Sequence, residues 1–428
     1  MTSASRLLMV AIASYGSLSS GTPLVLGAQT SSRASLPVPL TVGDAVALAR
    51  TNHPAGAAAS ARRQAAVALA RQDAAFANPV VEYRQENLGS PLQHDAFATV
   101  TQSIDVTGRR LALRASARDI DRRALADSTS IMRDVEANAA RAFWRASLAR
   151  ALLDLAEEQR ADAERLARLE TERAREGAVA EVSAIRTSLE RDRAGIVEAS
   201  ARAAWAQATA DLARAVGVSP DSLPSIASMT VAIPPIAAIP STEVAVERAL
   251  ASRGELVGLR AAEDAARHRL SAERRAVLPD IVLQAGTKQT AGYSTRVIGV
   301  AVPLPLFSRN TAARDRAAAE LELAEVERRA AEQSIRTSVT TAVESYHALL
   351  AAQPAGADSV VARAREVAAI ASAAYDAGGS SLLELLEARR ARAETLTAAL
   401  RWVADVRIAH IDLLRALGAS PLDSLTIP

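Results

Sequence analysis

The chain repeats itself: its first half aligns with its second at an almost constant offset of about 200 residues. Asn78-Pro79-Val80-Val81 corresponds to Leu278-Pro279-Asp280-Ile281, and Ser103-Ile104-Asp105-Val106-Thr107-Gly108-Arg109 to Pro303-Leu304-Pro305-Leu306-Phe307-Ser308-Arg309. Further on, Gly177 matches Gly378 and Val216-Gly217 matches Leu417-Gly418, one residue later in register. Between the halves, Val218 to Ser241 carries Pro220, Pro224, Pro234, Pro235 and Pro240, which no regular helix tolerates. The expected organisation is a repeat over 40–217, a Pro-rich linker over 218–241 and a second repeat over 242–418.

Within each repeat the pattern predicts helix, two strands, long helix, tight turn, helix. Residues 41–77 read as one Ala-, Leu- and Arg-rich helix that Thr41 caps and Asn78-Pro79 stops. Residues 80–87 and 97–104 read as strands around a polar loop. From Arg109 to Ala174 there is neither proline nor glycine, and small or apolar positions recur at helical spacing, as at Ile131, Val135, Ala139, Ala142 and Ala146. Such a helix is roughly 100 Å long. Gly177 permits a turn, and 178–215 returns beside it. The second repeat copies the plan with helices at 242–277, 310–376 and 380–417 and strands at 281–288 and 295–302, and Gln353-Pro354-Ala355-Gly356 should kink its long helix. The two shorter helices of a repeat sum to about the length of the long one, so they are expected to lie end to end along it.

Composition narrows the function. Aromatic residues are 3% of the chain against 49% hydrophobic, which favours closely packed helices over a bulky globular core. The formal charge of +2 is the difference between 50 basic and 48 acidic residues, so nothing marks nucleic acid as a partner. The chain has no cysteine, which removes disulfides, thiolate metal sites and lipidated-cysteine anchors. Arg6, the apolar run Leu7 to Ala13 and Leu26-Gly27-Ala28 form a secretory-signal pattern over 1–28. No window reaches about 18 uninterrupted apolar residues, so any membrane crossing must use strands.

Those strands have mixed faces. Ile281, Leu283 and Ala285 oppose Gln284 and Lys288, whereas Val297, Gly299 and Ala301 oppose Arg296 and Ile298. Four strands per chain do not close a water-filled barrel, and open edges cannot face lipid. Either several copies complete a barrel, or the hairpins sit in water on a helical scaffold.

The duplication, the two strand entries, the segment Val302-Pro303-Leu304-Pro305-Leu306-Phe307 and the paired turns beginning at Glu176 and Tyr375 resemble the TolC-like outer-membrane efflux proteins, over nearly all of Leu40 to Gly418. The resemblance implies a mainly α fold with a small membrane β part: a homotrimer with a 12-stranded β-barrel in outer-membrane lipid and an α-helical barrel crossing the periplasm. It implies a passive exit duct of a tripartite efflux or type I secretion system, for small molecules or metal ions. The partners implied are a periplasmic adaptor of the membrane-fusion type and an inner-membrane transporter of the RND or ABC type. Thr107-Gly108-Arg109-Arg110 resembles the Gly-Lys-Arg turn of the heavy-metal-efflux branch.

Carried over by position, the turns Gly177-Ala178-Val179 and Gly378-Gly379-Ser380, with Leu382, are adaptor-docking tips. Glu384 and Glu387 fall where the family places aperture carboxylates. Three copies would form a cation-favouring acidic ring; the plainer reading is that acids in a helix's first turns complement its dipole. Tyr375 matches a tyrosine that latches the tip in some relatives, but Ser380 and Ser183 stand where its arginine and acid partners would be.

No chemistry of another kind competes. His53, His94, His268, His347 and His410 lack metal-ligand spacing, and no phosphate loop, zinc-protease helix or nucleophile elbow is present. No catalytic residue, cofactor or resident metal is expected. The rival from another class is a soluble or surface-attached coiled-coil scaffold, which accounts for the Ala-rich helices but not for matched strand pairs.

Overall fold

The structure, a computed structural model, describes residues 39–88, 95–231, 241–290, 292–307, 309–352 and 357–422. The signal-peptide segment, most of the first hairpin loop, part of the Pro-rich linker and the break at 353–356 lie outside the described residues.

The described residues include nine α-helices and four strands: α1 (Val42–Asn52), α2 (Pro54–Asp73), β1 (Val80–Glu86), β2 (Asp95–Ile104), α3 (Arg109–Arg175), α4 (Glu181–Val216), α5 (Thr242–Ser252), α6 (Gly254–Arg275), β3 (Ile281–Thr290), β4 (Tyr293–Ala301), α7 (Thr311–Ala351), α8 (Ala357–Asp376) and α9 (Leu382–Ala416). The chain is therefore mainly helical. Thr41 opens α1 with a full capping box, accepting from the Asp44 N–H while the Asp44 carboxylate accepts from Thr41 N at 3.0 Å.

The helix expected over 41–77 is two helices, and so is the one expected over 242–277. Pro54 has no N–H to donate to the preceding turn, so it takes the first position of α2 while His53 stays extended (φ −69°, ψ 127°). The His53 imidazole then accepts from Ala55 N at 3.2 Å. In the second repeat Arg253 adopts nearly the same backbone (φ −65°, ψ 123°) before Gly254. Each break marks the junction where a shorter helix ends: Gly217, closing α4, lies against Asn52 and His53, and Gly418, closing α9, lies against Arg253.

α3 is the spine of the first repeat. Its N-terminal part carries α2 and α6, tied by Arg63 to Asp121 at 2.8 Å and by the Ser116 hydroxyl donating to Ala265 O at 3.0 Å. Its C-terminal part carries α4, with Arg160 on Glu198 at 2.7 Å. Buried alanines such as Ala139, Ala140 and Ala146 let neighbouring backbones approach closely.

Two apolar clusters sit at equivalent places in the repeats. One joins Ala45, Ala49, Val135, Ala139, Phe143, Leu212 and Val216; the other joins Ala245, Ala249, Ile335, Val339, Val343, Leu413 and Leu417. Position by position these differ by 200 or 201, so the sequence offset is also an offset of core positions.

The four strands form one antiparallel sheet in the order β1-β2-β3-β4, with Val80 opposite Thr101, Ile104 opposite Ile281 and Val282 opposite Ala301. The strands of the two repeats are thus joined directly, β2 to β3, and β1 and β4 are left as edges.

Candidate functional site

The register sorts the sheet into two unlike faces. Residues directly opposite in an antiparallel ladder share a face. Pairing Ala285 with Ile298 and Leu283 with Val300 puts those four on one side, together with Val81, Tyr83, Val100 and Ile104 and, among them, Gln102, Thr287 and Arg296, so this side is predominantly apolar. The other side gathers Glu82, Arg84, Glu86, Thr99, Thr101, Gln284 and Lys288, and with them Val80, Phe97, Val282, Val297, Gly299 and Ala301, so it is the more polar of the two. The mixed faces read in the β4 sequence persist: Ile298 and Val300 extend the apolar side, and Arg296 lies on that side with them. That side is open, with Ile298 86% and Val81 70% exposed. An uncovered apolar sheet face with two free edges is not a stable end state in water.

At the opposite end of the helices, two turns repeat one geometry. Gly177 and Gly378 both have φ of +72°, the left-handed conformation that favours glycine. In each the next N–H closes on the carbonyl five residues back, Ala178 on Arg173 at 2.8 Å and Gly379 on Ala374 at 2.7 Å, the Schellman ending of a helix. Gly177, Ala178, Gly378 and Gly379 are exposed, and Val179, Ser380 and Leu382 are half-buried. Val182, Ile185, Leu189 and Leu383 add exposed apolar surface just behind the turns.

The carboxylates singled out in the sequence lie on the first turns of α9, both exposed. Glu384 is engaged in a capping box, accepting from Ser381 N at 2.9 Å while its own N–H donates to the Ser381 hydroxyl at 3.3 Å. Its position thus has a local structural use, as the plainer reading required. α9 is held to the first repeat by Arg390 on Glu190 at 3.3 Å and Arg392 on Glu158 at 2.6 Å.

Sequence reasoning sought partners for Tyr375 at Ser380 and Ser183 and missed the charged ones on α3. The Arg173 guanidinium lies 5.7 Å from the centre of the Tyr375 ring and donates to Glu170 Oε1 at 3.2 Å. Glu170 is 1% exposed. Burial, then the neighbouring Glu170 carboxylate, push the Tyr375 phenol up, with Arg173 opposing. Only the spacing of Glu170 and Arg173, one helical turn apart, was visible beforehand.

Between α3, α4 and α9 runs an open groove of about 800 Å³, bordered by Leu148, Leu152 and Val197 and by Arg193, Arg389 and Arg401. Among the described residues no group of three His, Asp or Glu side chains is placed to hold a metal, and no helix is long and apolar enough to cross a membrane.

Residues 245–419 match the sequence model of the family described as outer membrane efflux protein. Among solved structures, CusC, described with the conformational changes that accompany its folding and transmembrane channel formation, is 20% identical with a TM-score of 0.73, covering 88% of this chain and 92% of that one. The Campylobacter jejuni CmeC outer membrane channel is 16% identical with a TM-score of 0.74, over 90% of this chain and 87% of that one. The open state of the Neisseria gonorrhoeae MtrE outer membrane channel is 20% identical with a TM-score of 0.72, over 90% and 91%. At these identities the structural likeness is one of fold. Compared by sequence with curated proteins, the chain has no match.

Proposed function

We infer that this chain, whose residues 245–419 match the outer membrane efflux protein model, is a member of that family and the outer-membrane duct of a tripartite efflux system, and that it works as a trimer. The observation that carries this reading is the sheet: one predominantly apolar face open to its surroundings, one more polar face, and two edges, β1 and β4, unpaired among the described residues. Lipid would cover the apolar face, and closure by two further copies would satisfy both edges, giving three times four strands around a wet lumen. A scaffold working in water has no use for such a face, which argues against that alternative.

In this reading residues 1–28 are a cleaved export signal, 40–217 and 242–418 are tandem repeats, and the helices form a conduit across the periplasm. The chain does no chemistry and holds no cofactor; the energy comes from an inner-membrane transporter of the RND or ABC type, reached through a periplasmic adaptor. The adaptor would dock on the tip turns at Gly177, Ala178, Val179, Gly378, Gly379, Ser380 and Leu382. The exposure of Gly177, Ala178, Gly378 and Gly379 and the apolar surface behind the turns support that role. Glu384 and Glu387 from three copies would ring the aperture, with Tyr375 set just behind them. A cap and a pore lining are compatible uses of Glu384, because accepting one backbone N–H occupies one carboxylate oxygen of an exposed side chain.

Conductance of the purified protein in planar bilayers tests the reading. Discrete cation-selective steps, with selectivity reduced in Glu384→Gln/Glu387→Gln, are expected. Unchanged selectivity in that variant would remove the ring and leave the channel; no steps from folded wild-type trimers would contradict the duct.

A further inference from the structure

Where the strands meet the helices, the surface changes character within a few residues. On the strand side stand exposed apolar residues: Val106, Leu278, Leu304, Leu306 and Phe307, the last wholly exposed. Directly beside them the first turns of α3, the last turn of α6 and the segment before α7 carry Arg109, Arg110, Arg114, Arg274, Arg275 and Arg309.

Three acids of this zone, Asp105, Asp280 and Glu273, are already engaged. Asp105 accepts from the N–H groups of Thr107, Arg109 and Arg110 at 3.0, 3.3 and 2.7 Å, closing the start of α3. Asp280 accepts from the Ser103 hydroxyl at 3.1 Å, and Glu273 accepts from the Asn310 amide at 2.8 Å with Arg109 at 3.9 Å. Arg275 donates to Gly108 O at 3.0 Å. Arg110, Arg114, Arg274 and Arg309 have no carboxylate partner among the described residues. Arg110 and Arg114 instead lie over the exposed ring of Phe76, at 4.5 and 5.2 Å, and Arg110 Nη1 is shielded from water without a hydrogen bond.

An apolar fringe followed at once by unneutralised guanidinium groups is the pattern a protein presents to an anionic lipid surface. Guanidinium forks suit phosphate oxygens, and Phe76 fits the level where chains give way to headgroups. We propose that this arginine collar binds the phosphate groups of anionic phospholipids in the leaflet facing the helices. The proposal rests on the sheet lying in the outer membrane.

The test uses the full-length protein, delipidated in neutral detergent and reconstituted into vesicles of phosphatidylethanolamine with a minor fraction of phosphatidylglycerol. After re-extraction, lipid retained per trimer is identified by mass spectrometry. The wild type should hold phosphatidylglycerol enriched about threefold over its share of the vesicle, and high salt should weaken the enrichment. Arg110→Gln/Arg114→Gln/Arg309→Gln should bring it to the vesicle's own ratio, while the corresponding three lysine substitutions should keep most of it. Equal enrichment in wild type and glutamine variant, or none in wild type, overturns the collar while leaving the membrane assignment intact. Failure of the wild type to enter vesicles of either lipid overturns the membrane assignment and the collar with it.

Discussion

Gly217 is pressed against the backbone of His53: a β-carbon on Gly217 would lie 2.8 Å from His53 Cα and equally close to Asn52 O. The contact joins the end of α4 to the break between α1 and α2, so one glycine fixes how the two shorter helices meet beside α3. Its φ of +75° adds a conformational reason for glycine. Gly418 occupies the equivalent place with φ +76°, but its nearest neighbour, Arg253 Cα, would be 3.3 Å from the new carbon. Gly217→Ala should therefore destabilise the protein by about 3 kcal/mol and Gly418→Ala by about half as much. Denaturant midpoints of the detergent-solubilised protein, read by helical circular dichroism, measure the difference; equal losses would contradict the stated geometry.

Glu136 predicts an acid limit. It is buried on α3, which alone would raise its pKa, but hydrogen bonds from Arg50, Arg133 and Ser420 at 2.6, 3.0 and 3.0 Å hold its carboxyl below the usual range. A carboxyl with a folded pKa below its unfolded one stabilises the fold above the unfolded value and ceases to as pH falls through the folded one. Stability should thus decline below about pH 4. Glu136→Gln should be less stable at neutral pH and show a shallower decline there. A wild-type decline as shallow as the variant's would remove Glu136 from the cause.

The tip predicts a different kind of effect. Arg173 shields a carboxylate, Glu170, that is nearly free of solvent, and stripping its partner leaves a poorly solvated charge costing about 3 kcal/mol. Arg173→Ala should loosen the packing against Tyr375 and raise the resting open probability in planar bilayers several-fold. Glu170→Gln/Arg173→Ala, which removes the charge as well, should lie closer to wild type. If the double variant is no nearer to wild type than the single one, the charge pair is not what holds the tip.

Much of this was legible in advance, because it rests on local rules repeated twice. A helix free of proline and glycine for 66 residues, glycines at matched turns and core positions offset by 200 need no knowledge of partners. What was missed depends on partners distant in sequence. The apolar side of β4 is decided by its pairing with β3, since Ile298 joins Leu283 only once Ala285 is known to lie opposite it. Glu170 and Arg173 meet Tyr375 across some 200 residues. The break at His53 was available, since Pro54 is an N-terminal helix residue by its chemistry; the surrounding run of alanines concealed it.

The absence of cysteine makes the central claim directly measurable, because any introduced thiol is the only one. Thr295→Cys and Val297→Cys place thiols on the polar face of β4, and Ile298→Cys and Val300→Cys place them on the apolar face. In reconstituted trimers a charged, water-soluble maleimide should label the first pair and spare the second, which a membrane-soluble maleimide should reach. Equal labelling of all four by the water-soluble reagent would place both faces of the sheet in water and contradict the outer-membrane duct.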